Sequence, residues 1–408
     1  MRERRIDLEG SVKILLQAAM AIFLVTVVVG ILNGLDLVEF DRSTLLTHVH
    51  AGTLGWITLG FFAACLWLLS ERGTLMGWRA WSPRWLSYGA ILSIALYVGA
   101  FYSGNLTARL VGGILTLLAI AGFFIWVAAQ SRRVRLSTPH LGLLAAMTTL
   151  TIGAVLGVIL GVWLKGGLKS LPAEIFVTHP TTMVVGYLVL AGMAISEWRL
   201  NPASAQSPAS RAGWAQVTLP FLGGLVLTVG ALLNNQIIIG LYVPLQVAGV
   251  IIYLVRLRPH VAGVAWRAAG SQRLFALSAL FLAANVGLMT YLVVSFLSGA
   301  YGDPPDFMRI PIWLIFAMDH AMFIGVMTNG LFGLIYEASG ERRHFWPWAD
   351  QLLFWGMNIG LVGFVAGLIR QEALLKQIFT PIMGTSILLA MLTYTIRLQT
   401  KPRELARS

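Results

Sequence analysis

The sequence predicts an all-α integral membrane protein with twelve transmembrane helices, and three observations support this fold class. Only 11% of the 408 residues are charged and 57% are hydrophobic, whereas a soluble domain has about a quarter charged residues. The apolar residues form stretches of about 20, the length that spans a bilayer. The loops between them are too short for a soluble domain. Residues 1–408 are therefore predicted to form a single polytopic domain in the lipid bilayer.

Twelve apolar stretches define the predicted spans. The seventh and eighth are separated only by Asn234-Asn235-Gln236, which predicts a tight hairpin. The first lacks a small-residue cleavage site, so it is predicted to be a span and not a signal peptide. The predicted spans are 12–33, 44–70, 84–103, 107–129, 141–164, 174–196, 215–235, 237–256, 273–298, 311–336, 349–369 and 378–397.

Positive charge predicts the orientation of the spans. Basic clusters such as Arg132-Arg133-Arg135, Arg256-Arg258 and Arg342-Arg343 lie between apolar stretches. Placing both termini in the cytoplasm leaves 22 of the 29 Lys and Arg on that side, as the positive-inside rule requires. The net charge of +12 therefore reflects inner-membrane topology and not a nucleic-acid partner. The seven on the outer side are Arg42, Arg109, Lys165, Lys169, Arg309, Arg370 and Lys376.

Four of the seven histidines lie in predicted spans, at the outer half of the membrane. They are His48 and His50 on helix 2, His179 on helix 6 and His320 on helix 10. An ionisable residue at membrane depth is costly and usually functional. Imidazole is also the side chain that most often binds metals and haem iron. These four residues are therefore the predicted metal or haem ligands, while His140, His260 and His344 are predicted to be solvated loop residues.

The spacing of the histidines predicts more than one centre. His48 and His50 are two residues apart, about 200° around a helix, so their rings point to different sides. Helices 2 and 10 also share a local pattern, which suggests that they perform a similar task, such as presenting axial ligands to one porphyrin. The pattern is His50-Ala51 followed by Gly55, Thr58 and Gly60, and His320-Ala321 followed by Gly325, Thr328 and Gly330.

Other residues limit or support a haem site. Cys65 is the only cysteine, so cysteine-cluster metal sites and covalent haem attachment are excluded. The outer arginines Arg42, Arg109 and Arg309 are predicted to pair with haem propionates. Asp319 lies about 100° around the helix from His320, so it is predicted to serve another neighbour. The carboxylates that end helices on the cytoplasmic side are predicted to be solvated, with proton entry as the alternative; they are Glu71, Glu197 and Glu337.

The topology and the histidine positions together resemble subunit I of the haem-copper oxidase superfamily over nearly the whole chain. Residues 48–56 look like the His-x-His segment that this family carries on helix 10, although here it lies on helix 2. His179-Pro180 is similar to the family's His-Pro-Glu-Val-Tyr copper-ligand motif, with Thr181 and Met183 replacing its glutamate and tyrosine. The chain is also similar to NnrS-type haem and copper membrane proteins in length and His-x-His, although Ala51-Gly52 replaces their Glu-Met.

The resemblance implies a specific set of ligands. The family's histidine pair on helix 7 is absent, so at most one of three copper ligands is kept, while the low-spin haem site on helices 2 and 10 remains. By this resemblance His50 and His320 are predicted to be the axial ligands of one haem b. A second haem, or a copper ion, is predicted between His48 and His179.

Three functions are consistent with these residues. The first is electron transfer from a quinol or cytochrome donor, or an oxidoreductase reaction with nitric oxide or oxygen as a diatomic gas substrate. The second is a secondary transporter, a class in which twelve spans are common, although no strong two-half repeat is visible. The third is a sensor or assembly factor that carries haem or copper without turnover. The sequence leaves the oligomeric state open.

Overall fold

Within the described residues, the computed structural model is a bundle of twelve helices, α1–α12, that are long and apolar enough to cross a membrane, with a short helix, Pro202–Gln206, between α6 and α7. The structure describes residues 2–72, 77–340 and 346–400, and these ranges contain no strand. The prediction of an all-α protein with twelve apolar spans is confirmed; Arg342, Arg343 and His344 lie outside the described residues. The helices are Arg2–Gly34, Arg42–Glu71, Trp78–Tyr102, Leu106–Ser131, Thr138–Leu164, Ile175–Leu200, Arg211–Leu232, Gln236–Ala262, Ser271–Leu297, Ile312–Ala338, Pro347–Arg370 and Ala373–Gln399.

Short polar side chains fix where several helices begin. The predicted hairpin between α7 and α8 is present, and the Asn235 side chain accepts a hydrogen bond from the backbone N–H of Ile238 at 3.1 Å. Asp41 caps α2 in the same way through the N–H of Thr44 at 2.8 Å. Such caps satisfy backbone donors that the first helical turn leaves unpaired. The start of α2, which supports two of the histidines, is therefore set locally.

The three helices that carry the histidines form the centre of the bundle. In an apolar 18-residue segment of α2, 83% of the residues are buried, and the corresponding share is 61% for both α6 and α10. The other nine helices have values of only 33–50%, so they surround this central trio. Each central helix also contains a π-helical segment, a rare geometry that is often found at functional sites. These segments are Ala51–Thr58, Thr182–Leu188 and Ala321–Thr328.

The π-helical segments are hydrogen-bonded to one another. The Trp56 indole of α2 donates to the Thr328 hydroxyl of α10 at 2.9 Å, and the Tyr187 hydroxyl of α6 donates to Thr58 at 3.4 Å. Thr58 and Thr328 each donate in turn to the carbonyl five residues earlier, at 2.9 and 2.7 Å. The pattern shared by helices 2 and 10 therefore corresponds to two equivalent π-helical segments, each beginning directly after a histidine.

The opposite ends of the central helices are joined by one arginine. Arg199 of α6 forms ion pairs with Glu71 of α2 at 3.6 Å and Glu337 of α10 at 3.2 Å. Its guanidinium lies over Trp198 at 3.5 Å and over Trp67 at 4.3 Å. A cation–π contact is stronger when it is shielded from water than at an exposed site. We call this end of the bundle the charged end, and the end where α2, α6 and α10 begin the histidine end.

Of the three carboxylates predicted to be solvated helix ends, Glu71 is exposed, Glu337 is half-buried and Glu197 is buried, so the prediction is wrong for Glu197. Glu197 is only 1% exposed, and Arg256 of α8 pairs with it at 2.7 Å. Gln216 of α7 donates a second bond to it at 2.6 Å. The prediction treated each helix end alone, whereas the packed bundle brings an arginine from another part of the chain to each carboxylate.

One ion pair at the histidine end gives a pH-dependent prediction. Lys376 of α12 donates to Asp36 at 2.6 Å, and this hydrogen bond is the main reason that the pKa of Asp36 lies below its usual 3.8. A lowered carboxyl pKa stabilises the fold above the usual pKa, and this contribution is lost as the pH falls through the folded value. Because the pair is partly exposed, Asp36→Asn is expected to cost less than about 1 kcal/mol near neutral pH.

Thermal unfolding of the wild type and Asp36→Asn, measured from neutral pH down to acid, checks this expectation. The difference between the two midpoints should be small at neutral pH and should vanish as the pH falls below the usual pKa of 3.8. A difference that grows on acidification would contradict the assigned role of the pair.

Candidate haem site

All four predicted histidines are held in one tautomer by backbone carbonyls. In each ring Nδ1 lies 2.8 Å from a carbonyl oxygen, and because a carbonyl can only accept, Nδ1 carries the proton. Nε2 then has a free lone pair, and no hydrogen bond to it is present among the described residues. Histidines that bind a metal or haem iron are oriented in this way. The bonds join His48 to Thr26, His50 to Leu46, His179 to Gly153 and His320 to Phe316.

His48 and His179 are held by a neighbouring helix in the same manner. Each ring binds a carbonyl of the adjacent helix, α1 or α5, and a glycine follows that carbonyl four residues later. A Cβ on Gly30 would lie 3.1 Å from Cε1 of His48, and one on Gly157 would lie 3.0 Å from His179. In an α-helix, the carbonyl of each residue points towards the residue four positions later. The two glycines therefore leave the space through which each imidazole reaches its acceptor.

His50 and His320 are held by their own helices. Each donates Nδ1–H to the carbonyl four residues earlier, and each is followed directly by a π-helical segment. The sequence pattern that relates these two residues therefore corresponds to a shared local structure. The four histidines are therefore of two kinds. His50 and His320 are hydrogen-bonded to a carbonyl of their own helix, whereas His48 and His179 are hydrogen-bonded to a carbonyl of a neighbouring helix.

The rings of His48 and His50 lie on different sides of α2, as their spacing predicts. His48 faces α1 through Thr26, whereas His50 stacks on Phe101 of α3 with 3.7 Å between ring centroids. Tyr97 of α3 meets the same ring edge-on at 5.9 Å. One helix thus presents an imidazole to each of two separate compartments.

The histidines form two pairs, and these differ from the predicted ones. His179 lies close enough to His50 to interact with it electrostatically, and His48 does the same with His320. These proximities differ from the predicted pairs, His50 with His320 and His48 with His179, and they indicate an alternative pairing of ligands. We call the observed combinations the 50/179 pair and the 48/320 pair.

The packing of the central helices explains this difference. The 50/179 pair lies between α2 and α6, where α3 and α5 supply the rings and carbonyls described above. The 48/320 pair lies between α2 and α10, beside α1 and α11, and His320 contacts Phe364 of α11 at 4.7 Å. Helical periodicity shows that two residues face different sides, but it does not show which helix lies on each side. Each pair contains one histidine that is hydrogen-bonded to its own helix and one that is hydrogen-bonded to a neighbouring helix.

Of the three arginines predicted to pair with propionates, only Arg109 lies at a histidine pair. It donates to the Phe101 carbonyl at 2.9 Å, lies 5.0 Å from that ring and is within electrostatic range of His50. Arg42 is exposed at the start of α2 and has no described contact with a histidine. Arg309 forms a distant ion pair with Asp306 at 3.8 Å in the loop before α10.

The described residues offer pairs of ligands and not larger clusters. No group of three or more His, Cys, Asp or Glu side chains suited to a metal ion occurs among them. Sequence reasoning missed Gly30, Gly157, Phe101 and Tyr97. A glycine or an aromatic residue in an apolar span has no distinguishing signal until the neighbouring helix is known.

Comparison with known proteins adds no family to this description. No protein-family model matches the chain, and no curated protein matches it. The arrangement of the four histidines is therefore the basis for the functional argument.

Proposed function

We propose that this chain is a membrane haem b protein of the haem-copper oxidase type that transfers electrons through two bis-histidine haems. One haem is ligated by the 50/179 pair and the other by the 48/320 pair. The main observation is that all four imidazoles have Nδ1 on a carbonyl and Nε2 without a described partner, in two pairs of the same construction. Helix packing alone does not require four imidazoles with the same hydrogen-bond arrangement.

The residue types around the pairs are those that hold a porphyrin. Haem b requires axial nitrogen ligands, an apolar environment and a cation or donor for its propionates. Phe101 and Tyr97 line the 50/179 pair, and Phe364 lines the 48/320 pair. At the 50/179 pair, Arg109 has a buried Nε without a hydrogen-bond partner, which leaves a donor available for a propionate.

The residues of the chain contribute orientation and electronic tuning. When bound, haem supplies one-electron transfer. The carbonyl bond on each Nδ1 fixes the ring and raises the basicity of Nε2 as a ligand. Because each haem would be held by two histidines, neither would offer an open coordination position to a diatomic gas. This favours electron transfer over direct reaction with nitric oxide or oxygen at these pairs.

The proposal includes an inner-membrane location with both termini in the cytoplasm. It is supported by the 22 of 29 Lys and Arg that this orientation leaves on the cytoplasmic side. Both histidine pairs would then lie in the outer half of the membrane. A quinol in the bilayer or a cytochrome at the outer surface could donate electrons there.

Absorption spectra of the purified full-length protein test the proposal. The dithionite-reduced protein is expected to show the Soret and α bands of haem b, with two haems per chain. Carbon monoxide should leave the reduced spectrum unchanged, because both axial positions are filled. Protein without these bands would contradict the assignment, and a shift of both haems on adding carbon monoxide would contradict bis-histidine ligation.

A further inference from the structure

The two histidine pairs lie between α2 and α6 and between α2 and α10, and among the described residues no histidine lines the cavity between the remaining two central helices. This region lies between α6 and α10 and is also lined by α7, α8 and α9. It contains a cavity of about 180 Å³, which is not fully enclosed. Its wall is almost entirely apolar, formed by residues such as Val185, Leu227, Ile239, Val293 and Phe296.

Two polar side chains, from the two central helices, interrupt this apolar wall. Asp319 of α10 and Thr181 of α6 both line the cavity. As the sequence predicted, Asp319 and His320 face different neighbours: Asp319 lines the cavity, whereas His320 contacts Phe364 of α11. Neither the Asp319 nor the Thr181 side chain has a hydrogen bond or ion pair with another described residue. A carboxyl group in an apolar wall is costly without a partner, and at membrane depth it usually has a functional reason.

The size of the cavity limits the ligand. An engineered apolar cavity of about 150 Å³ binds benzene, so the present volume admits one substituted six-membered ring. The wall favours an apolar ring, and the two polar groups require one that can both donate and accept hydrogen bonds. A ligand that reaches this depth must also dissolve in the bilayer. The head group of a membrane quinol has all of these properties.

We propose that this cavity binds the ring of a membrane quinol, with one ring hydroxyl donating a hydrogen bond to the Asp319 carboxyl. The hydroxyl of Thr181 donates to the other ring oxygen. The role of this site as a source of electrons rests on the proposed function. Asp319 is next to His320 in the chain, and Thr181 is two residues from His179. The ring would thus adjoin a ligand of each histidine pair, where an electron donor is needed. Binding itself does not require haem.

Equilibrium dialysis of durohydroquinone against the full-length protein in nanodiscs tests this proposal, with empty nanodiscs as the background. The protein is kept reduced by dithionite so that the probe remains a quinol. Saturable binding is expected for the wild type. Asp319→Leu removes the acceptor and should weaken binding about tenfold, because a ring hydroxyl then lacks its partner. Leu227→Trp fills the cavity and should abolish binding.

Glu39→Leu is the matched control, because Glu39 is an exposed carboxylate in the loop at the histidine end and has no described contact. It should bind the probe like the wild type, and all three variants should keep the wild-type haem bands. Wild-type protein that shows haem bands but no saturable binding would overturn the quinol site alone. If Asp319→Leu and Leu227→Trp both bind the probe as tightly as the wild type does, the quinol site is also overturned. Saturable, Asp319-dependent binding by protein without haem would support the site and contradict the haem proposal.

Discussion

Replacing His320 by alanine is expected to reduce the haem content from two per chain to one. His48→Ala should remove the same haem, because these two rings form one pair. His50→Ala and His179→Ala should each remove the other haem. The residual reduced spectrum should therefore be the same within a pair. It should differ between pairs, because Arg109 and Phe101 adjoin only the 50/179 pair.

His260→Ala provides the control for this series. His260 lies near the charged end of α8, far in the fold from both pairs, so the variant should retain two haems. Haem per polypeptide is measured as the pyridine haemochrome of purified protein. Four single variants that all keep two haems, or that all lose both while remaining folded, would contradict the assignment of two separate sites.

Replacing Arg397 by methionine is expected to have the largest effect on stability. Arg397 of α12 binds both carboxylate oxygens of Asp350 on α11, at 2.8 and 3.0 Å, and the two side chains are 1% and 5% exposed. Removing one partner of a buried ion pair leaves an uncompensated charge and costs about 3–5 kcal/mol. The thermal unfolding midpoint in detergent should fall by several degrees.

The double variant Asp350→Asn/Arg397→Met separates charge burial from packing. Because neither side chain is then charged, most of the lost stability should return, as is common when a buried ion pair is replaced as a whole. If the single variant unfolds within about 1 kcal/mol of the wild type, the pair behaves like an exposed one. If the double variant is no more stable than the single one, packing and not charge explains the loss.

The sequence predicted the parts of the fold that depend on local composition. Twelve apolar stretches, the tight turn at Asn234-Asn235-Gln236 and the opposed rings of His48 and His50 all follow from length, polarity and helical period. The equivalence of His50 and His320 was also visible as a repeated pattern. Its structural form, a π-helical segment closed by a threonine bond to the carbonyl five residues earlier, required the three-dimensional structure.

The features that sequence analysis missed depend on which helices are neighbours. His50 and His320 were matched by resemblance, yet the histidine within electrostatic range of His50 is His179 of α6. Glu197 was predicted to be solvated, yet it is buried against Arg256 of another helix. Neither outcome can be derived from one helix at a time, because a helical face specifies a direction and not the residue that meets it.

The composition of the histidine pairs is the central claim, and the haem content of two double variants tests it most directly. His48→Ala/His320→Ala removes both ligands of one pair, so it should retain one haem per chain. His50→Ala/His320→Ala removes one ligand from each pair, so it should retain none. The reverse result, with one haem kept by the second variant and none by the first, would contradict the pairs described here and restore the pairing of His50 with His320.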